Sequence, residues 1–179
     1  MTAAGPDLKA RARELGERVF NEHDLTAFDE LAQPEARFRL PGRPVLDREG
    51  FKTLIGQLLS AQPDLRLDLL HILRDGDRVG SRIRLTGTHH GELFGIPPTG
   101  RVIRMDEFAL QRWDARGLLA EMDMESDYLS LLRQVGAEPP PGTGLLGRWA
   151  HPFTSTARFA WLQATAGRRA QASAHKAGT

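Results

Sequence analysis

The chain has 179 residues, enough for one domain with a proper core and too few for two of ordinary size. Its 24 Lys and Arg against 23 Asp and Glu leave a formal net charge of +1, so no strong overall field draws nucleic acid or anionic lipid to it. Without cysteine, thiol catalysis, disulfide staples and Cys-based zinc sites are excluded.

The N-terminus lacks the basic start and apolar run of a secretory signal. No stretch approaches the roughly 20 apolar residues that span a bilayer. A soluble cytoplasmic protein is the expectation, and the Ala, Arg, Gly and Leu usage suits a high-GC bacterial genome. From Asp7 to about Leu31, Leu8, Ala12, Leu15, Val19 and Phe20 recur at three and four, the stripe of an amphipathic helix. Asn21 to Asp24 interrupts it, and Leu25, Phe28 and Leu31 resume a short second helix. An extended piece, Ala36 to Leu40, ends at Pro41 and Gly42. Asp47 is a suitable N-cap for a helix with Phe51, Leu54, Ile55, Leu58 and Leu59 on one face, and Pro63 stops it.

Beyond Pro63 the period becomes extended. Leu65 to Leu73 is a strand, Asp75-Gly76-Asp77 its turn, and Val79, Ile83 and Leu85 continue on the next strand. A Gly- and Pro-rich loop from Gly91 to Gly100 precedes a long strand, Arg101 to Trp113, with a turn at Asp114 to Gly117. Leu118 to Met124 is the last strand, and Asp127 can cap a closing helix. Helices first and hairpin-linked strands afterwards predict an α+β fold, a curved antiparallel sheet covered by the N-terminal helices into a cone. Residues 1–137 make this domain. Residues 138–179 read as a Pro-rich linker and a basic tail, with no acid after Gly147 and one possible helix from Phe153 to Ala166.

The segment Thr86 to Arg101, with its core Gly95-Ile96-Pro97-Pro98-Thr99-Gly100, resembles a stretch carried by the SnoaL-like polyketide and ester cyclases. Arg112, Gly117, Glu121, Asp127 and Leu131 to Gly136 follow in the order and spacing of that family's final strand and helix. The likeness covers about residues 7 to 137. It implies the NTF2-like, cystatin-like α+β cone shared with ketosteroid isomerase. It further implies ring closure by intramolecular aldol condensation without metal or cofactor, an aspartate as acid/base, and oligomerisation through the sheet. One departure stands out: many relatives have Trp two places after the position of Glu121, where this chain has Asp123.

Strand alternation puts Glu121, Asp123 and Glu125 on one face of the last strand and Met122 and Met124 on the other, without saying which face is interior. If the acids face inward, at least one must be protonated or paired. Asp123 is then the first candidate for a base that takes a proton from a carbon acid, as an aspartate does in ketosteroid isomerase. Asp127 is second, with N-capping as its ordinary role, and Glu121 has Arg82 or Arg112 as cross-sheet partners. Of the adjacent His89 and His90 only one can face inward, where it could bond a substrate oxygen; side chains pointing to opposite faces make a poor metal chelate. Gln111, Arg84 and Tyr128 are further contact candidates whose default roles are solvated or capping. The Gly-Pro loop lacks the Lys and Ser/Thr of a nucleotide-binding P-loop. Phe38, Phe51, Met105, Phe108, Phe20, Leu54, Leu58 and Trp113 divide between core and cavity wall, suiting a flat, apolar, oxygenated substrate of polyketide type.

Three readings stay open at this stage: a cofactor-free cyclase or isomerase, a non-catalytic binding module whose basic tail docks on an acidic partner, and an epoxide hydrolase-type enzyme. A homodimer formed through the exposed sheet face is the default assembly.

Overall fold

Asp7 opens the first helix. Its carboxylate accepts hydrogen bonds from the Lys9 and Ala10 amides, two of the donors that helix geometry leaves without a partner. Helix α1 (Leu8–Gly16) runs on into a π-helical turn, Glu17–Asn21, and stops where Asn21 turns its amide outward to the sheet. There Asn21 accepts from the Leu67 amide at 2.8 Å and donates to the Leu67 carbonyl at 3.1 Å, fastening the helix end to a strand. Helix α2 (Ala27–Leu31) follows the expected interruption. The structure, a computed structural model, describes residues 5–138. The linker and helix expected after residue 138 therefore lie outside the described residues.

Strand β1 (Ala32–Arg39) begins directly from α2, four residues earlier than its hydrophobic pattern suggests. Pro34 hides that beginning, because it cannot donate to a ladder; the pairing register of β1 shifts between Ala32 and Arg37, so the proline sits in an irregular stretch of an edge strand. Helix α3 (Arg48–Ala61) starts at Asp47, which accepts from the Gly50 amide at 2.8 Å, and ends before Pro63. Strands β2 (Arg66–Asp75), β3 (Arg78–Thr88), β4 (Val102–Trp113) and β5 (Leu119–Ser126) form the antiparallel part of the sheet. Helix α4 (Tyr128–Val135) closes the domain. Asp127 caps its start, and Gly136 at φ +80° caps its end in the left-handed conformation that glycine adopts without steric cost.

The sheet order is β1-β5-β4-β3-β2, with β1 parallel to β5 and every other pair antiparallel. The sheet is curved and open, with β1 and β2 as its edges, and the helices pack into its concave side. Phe28, Phe38 and Phe51 anchor that packing: Phe38 and Phe51 stack at 4.2 Å, and Phe28 meets both edge-on. On β4, Ile103, Met105, Glu107, Ala109, Gln111 and Trp113 are buried, whereas Val102, Arg104, Phe108 and Leu110 face outward. No helix among the described residues is long and apolar enough to cross a membrane.

Candidate functional site

The inward face of β5 carries the methionines. Met122 and Met124 are buried, and Glu121, Asp123 and Glu125 lie on the outer face. This decides the face that alternation alone leaves open, and it corrects the expectation that Asp123 points into the cone. Asp123 is half exposed and paired with Arg39 at 2.8 Å, while Glu121 bridges Arg39 and Arg112 at 3.2 and 2.6 Å. Arg82 belongs to the same outer face, paired with Asp106 at 2.7 Å and lying over the ring of the exposed Phe108. Neither Arg82 nor Phe108 reaches the interior. Asp127 accepts from the Ser130 amide at 2.9 Å, its helix-capping role.

Of the two histidines, His89 is the buried one and His90 the exposed one. His89 Nδ1 is hydrogen-bonded to the Thr99 hydroxyl at 3.1 Å, and the His89 backbone pairs with Gly100 and Arg101, so it staples both ends of the Gly-Pro loop. Burial pulls its imidazole below the ordinary histidine range, which keeps it neutral. His89 lines neither interior cavity. Its observed work is on the loop.

That loop reaches over the concave side. Leu93 and Ile96 exchange backbone hydrogen bonds across Phe94 and Gly95, both at positive φ, a strained position for Phe94. The strain is held by contacts at the tip: Arg43 lies 5.0 Å above the Phe94 ring, and Tyr128 meets it edge-on. Beneath Phe94 is a chamber of about 40 Å³ walled by Phe51, Met105, Met124, Tyr128 and leucines, with Glu107 in its wall. A second chamber, about 50 Å³, lies deeper against α1, β2 and β3 and contains Gln111 and Ser81 among apolar side chains. Phe20, Phe51 and Met124 border both. Phe38 is the second layer behind Phe51.

Glu107 is the group that sequence reasoning missed. It is 4 % exposed, one oxygen accepts from the Ser126 hydroxyl at 2.8 Å, and the other has no partner among the described residues. Burial without a cation pushes its carboxyl up to about 7, and the Ser126 bond only partly opposes this. Tyr128 sits close enough for its hydroxyl to be raised by burial and then by the Glu107 charge. An apolar pocket, an acid poised near neutrality and two neighbouring hydroxyls form an acid/base constellation. The signal was present in the alternation of β4, where one charged residue interrupts Ile103, Met105, Ala109 and Trp113.

Residues 10–135 match the family described as SnoaL-like polyketide cyclase. The chain belongs to that family. Its fold is accordingly the NTF2-like one. Among solved structures, AclR from Streptomyces galilaeus, a candidate hydroxylase, is 26% identical with a TM-score of 0.69, over 76% of this chain and 100% of its own. IdmH from Streptomyces antibioticus, a candidate polyketide cyclase, is 31% identical with a TM-score of 0.66, over 73% and 99%. TsrD from Streptomyces laurentii is 30% identical with a TM-score of 0.64, over 72% and 97%. No curated protein matches the chain's sequence. This SnoaL-like chain thus has a family-level cyclase role.

Proposed function

We propose that the protein closes a ring in an apolar, oxygenated polyketide-type substrate by proton transfer at a carbon acid, with Glu107 as the acid/base. The observation that carries this is the unbonded Glu107 oxygen, buried in an apolar chamber and poised near neutrality. Ionised Glu107 takes a proton from a carbon flanked by carbonyls, leaving an enolate. The enolate carbon attacks a second carbonyl of the same molecule, a carbon–carbon bond forms, and the alkoxide so produced takes the proton back from Glu107. Tyr128, in the chamber wall, supplies a hydroxyl for oxygens on which charge develops, while the Ser126 hydroxyl is committed to Glu107 and holds it in place. Each step is proton transfer or addition within one molecule, so the reaction as written asks nothing of a cofactor.

The test is ring closure of an aromatic β-keto ester that carries a further carbonyl within reach of its acidic carbon. Glu107→Gln should lower kcat/KM at least about a hundredfold with little change in KM, the range expected for loss of an acid/base group. In the wild type, kcat/KM should rise with pH and level off above about 7 as the carboxyl ionises. Full turnover by the folded Glu107→Gln protein would remove Glu107 from the mechanism, and a matching loss in Asp123→Asn would return the role to the outer face.

The same reading includes a homodimer through the outer sheet face. Leu73, Phe108 and Leu110 are exposed there beside His71, Asp123 and Glu125, around a shallow groove. An apolar patch among charge pairs is the character of a sheet-to-sheet interface.

A further inference from the structure

Gln111 is buried to 6 % exposure on the inward face of β4, yet its bonding is incomplete. The indole N–H of Trp113 can only donate, and it donates to Gln111 Oε1 at 3.2 Å. That bond uses the amide oxygen and turns the nitrogen away from Trp113; no hydrogen bond from the nitrogen to a described residue is present, and Gln111 is one of the residues lining the second chamber. Glu107, with one buried oxygen unbonded, and Gln111, with its amide nitrogen unused, are thus two polar groups on one strand beside a largely apolar hollow.

Between them stands Ala109. Its methyl group leaves a trough where any larger inward residue would divide the two; the division that remains is made by Phe20, Phe51 and Met124, which border both chambers, and of these Met124 faces Ala109 across the β4–β5 ladder. Methionine is unbranched and flexible, a partition that moves with a rotamer change. As they stand, the chambers of about 40 and 50 Å³ each hold only a few waters. A fused-ring ligand needs both.

We infer that the two chambers are halves of one binding cavity and that Gln111 is a specificity-determining residue, donating its amide N–H to an oxygen at the far end of an elongated substrate. This rests on the reading of Glu107 as the reacting carboxylate and deepens it. Four residues along a strand separate the two Cα atoms by about 13 Å. Allowing about 3 Å for a hydrogen bond at each end leaves about 7 Å between the substrate's polar positions. That is close to the span between oxygens at opposite ends of two fused six-membered rings, with a carbon acid or its carbonyl at one end and an acceptor oxygen at the other. A ring system with an oxygen at one end only cannot engage both groups.

Calorimetric titration of the full chain with two probes tests this: a naphthalene carrying a hydroxyl at each end, and the same naphthalene with a hydroxyl at one end only. Wild type should bind the two-oxygen probe at least tenfold more tightly than the one-oxygen probe. Gln111→Leu, similar in volume, should erase that preference and leave the one-oxygen affinity unchanged; Ala109→Leu, which fills the trough, should erase the preference as well. Glu107→Gln should lose ring closure while Gln111 still distinguishes the far oxygen, so that the two readings fail separately. If folded Gln111→Leu holds the two-oxygen probe with wild-type affinity, or if wild type shows no preference between the probes or binds neither, the inference is overturned. Should Ala109→Leu not fold, Gln111→Leu decides alone.

Discussion

Glu107 keeps a proton in the folded protein that it would lose in the unfolded chain, and this ties its chemistry to stability. Its carboxyl is raised from 4.5 to about 7, so the folded state binds the extra proton between those values. The resulting stabilisation is fully present below about pH 4.5 and is lost as pH rises through about 7, on the order of 3 kcal/mol. Glu107→Gln, which carries no charge to bury, should remove that dependence: urea midpoints of variant and wild type should be similar at pH 4.5, and the variant should be the more stable at pH 8. A wild-type midpoint that does not fall between those pH values relative to the variant would mean the carboxylate is solvated. At this scale the sequence was least legible. The acids of β5 share a face, but strand parity alone leaves that face unassigned, so Asp123 as the base depended on a face that only the packing decides. On β4 the same parity held the answer without its being used: Ile103, Met105 and Trp113 mark the inward register, Glu107 and Gln111 fall within it, and Phe108 falls outside it.

The secondary elements were legible almost throughout, since each carries its own punctuation: Asp7, Asp47 and Asp127 at helix starts, Pro63 after a helix end, Gly76 and Gly117 in turns. What sequence could not give was the role of the Gly-Pro loop, because its work depends on contacts from elsewhere. Gly91 is the clearest case. A Cβ there would lie 2.8 Å from the Ala61 Cα and 3.0 Å from the Ser60 carbonyl, both backbone atoms at the end of α3 that have little room to give. The His90 and Gly91 amides both donate to the Ala61 carbonyl, so that approach docks the loop on the helix. Gly91→Ala should therefore cost about 2 kcal/mol, read as a lower melting temperature. An unchanged melting temperature would show that the loop rides free of α3.

For the molecule as a whole, fold class and family were readable from the order of elements and the Gly-Ile-Pro-Pro-Thr-Gly segment, while the distribution of charge over the two sheet faces was not. The outer face pairs Arg82 and Arg84 with Asp106 and Arg39 and Arg112 with Glu121, and leaves Leu73 and Phe108 uncovered. If two copies cover that face, Phe108→Glu should convert a dimer to a monomer in light scattering without changing the fold. A monomeric wild type would refute the assembly.

Strand β1 joins the sheet through β5, and the Arg39 side chain reaches Glu121 across 82 positions of sequence. The early third of the polypeptide must therefore wait on the ribosome until nearly the whole domain has emerged. Such distant pairings delay folding, and in that interval the unpaired β1 is where a nascent copy is most open to capture by a neighbour or a chaperone.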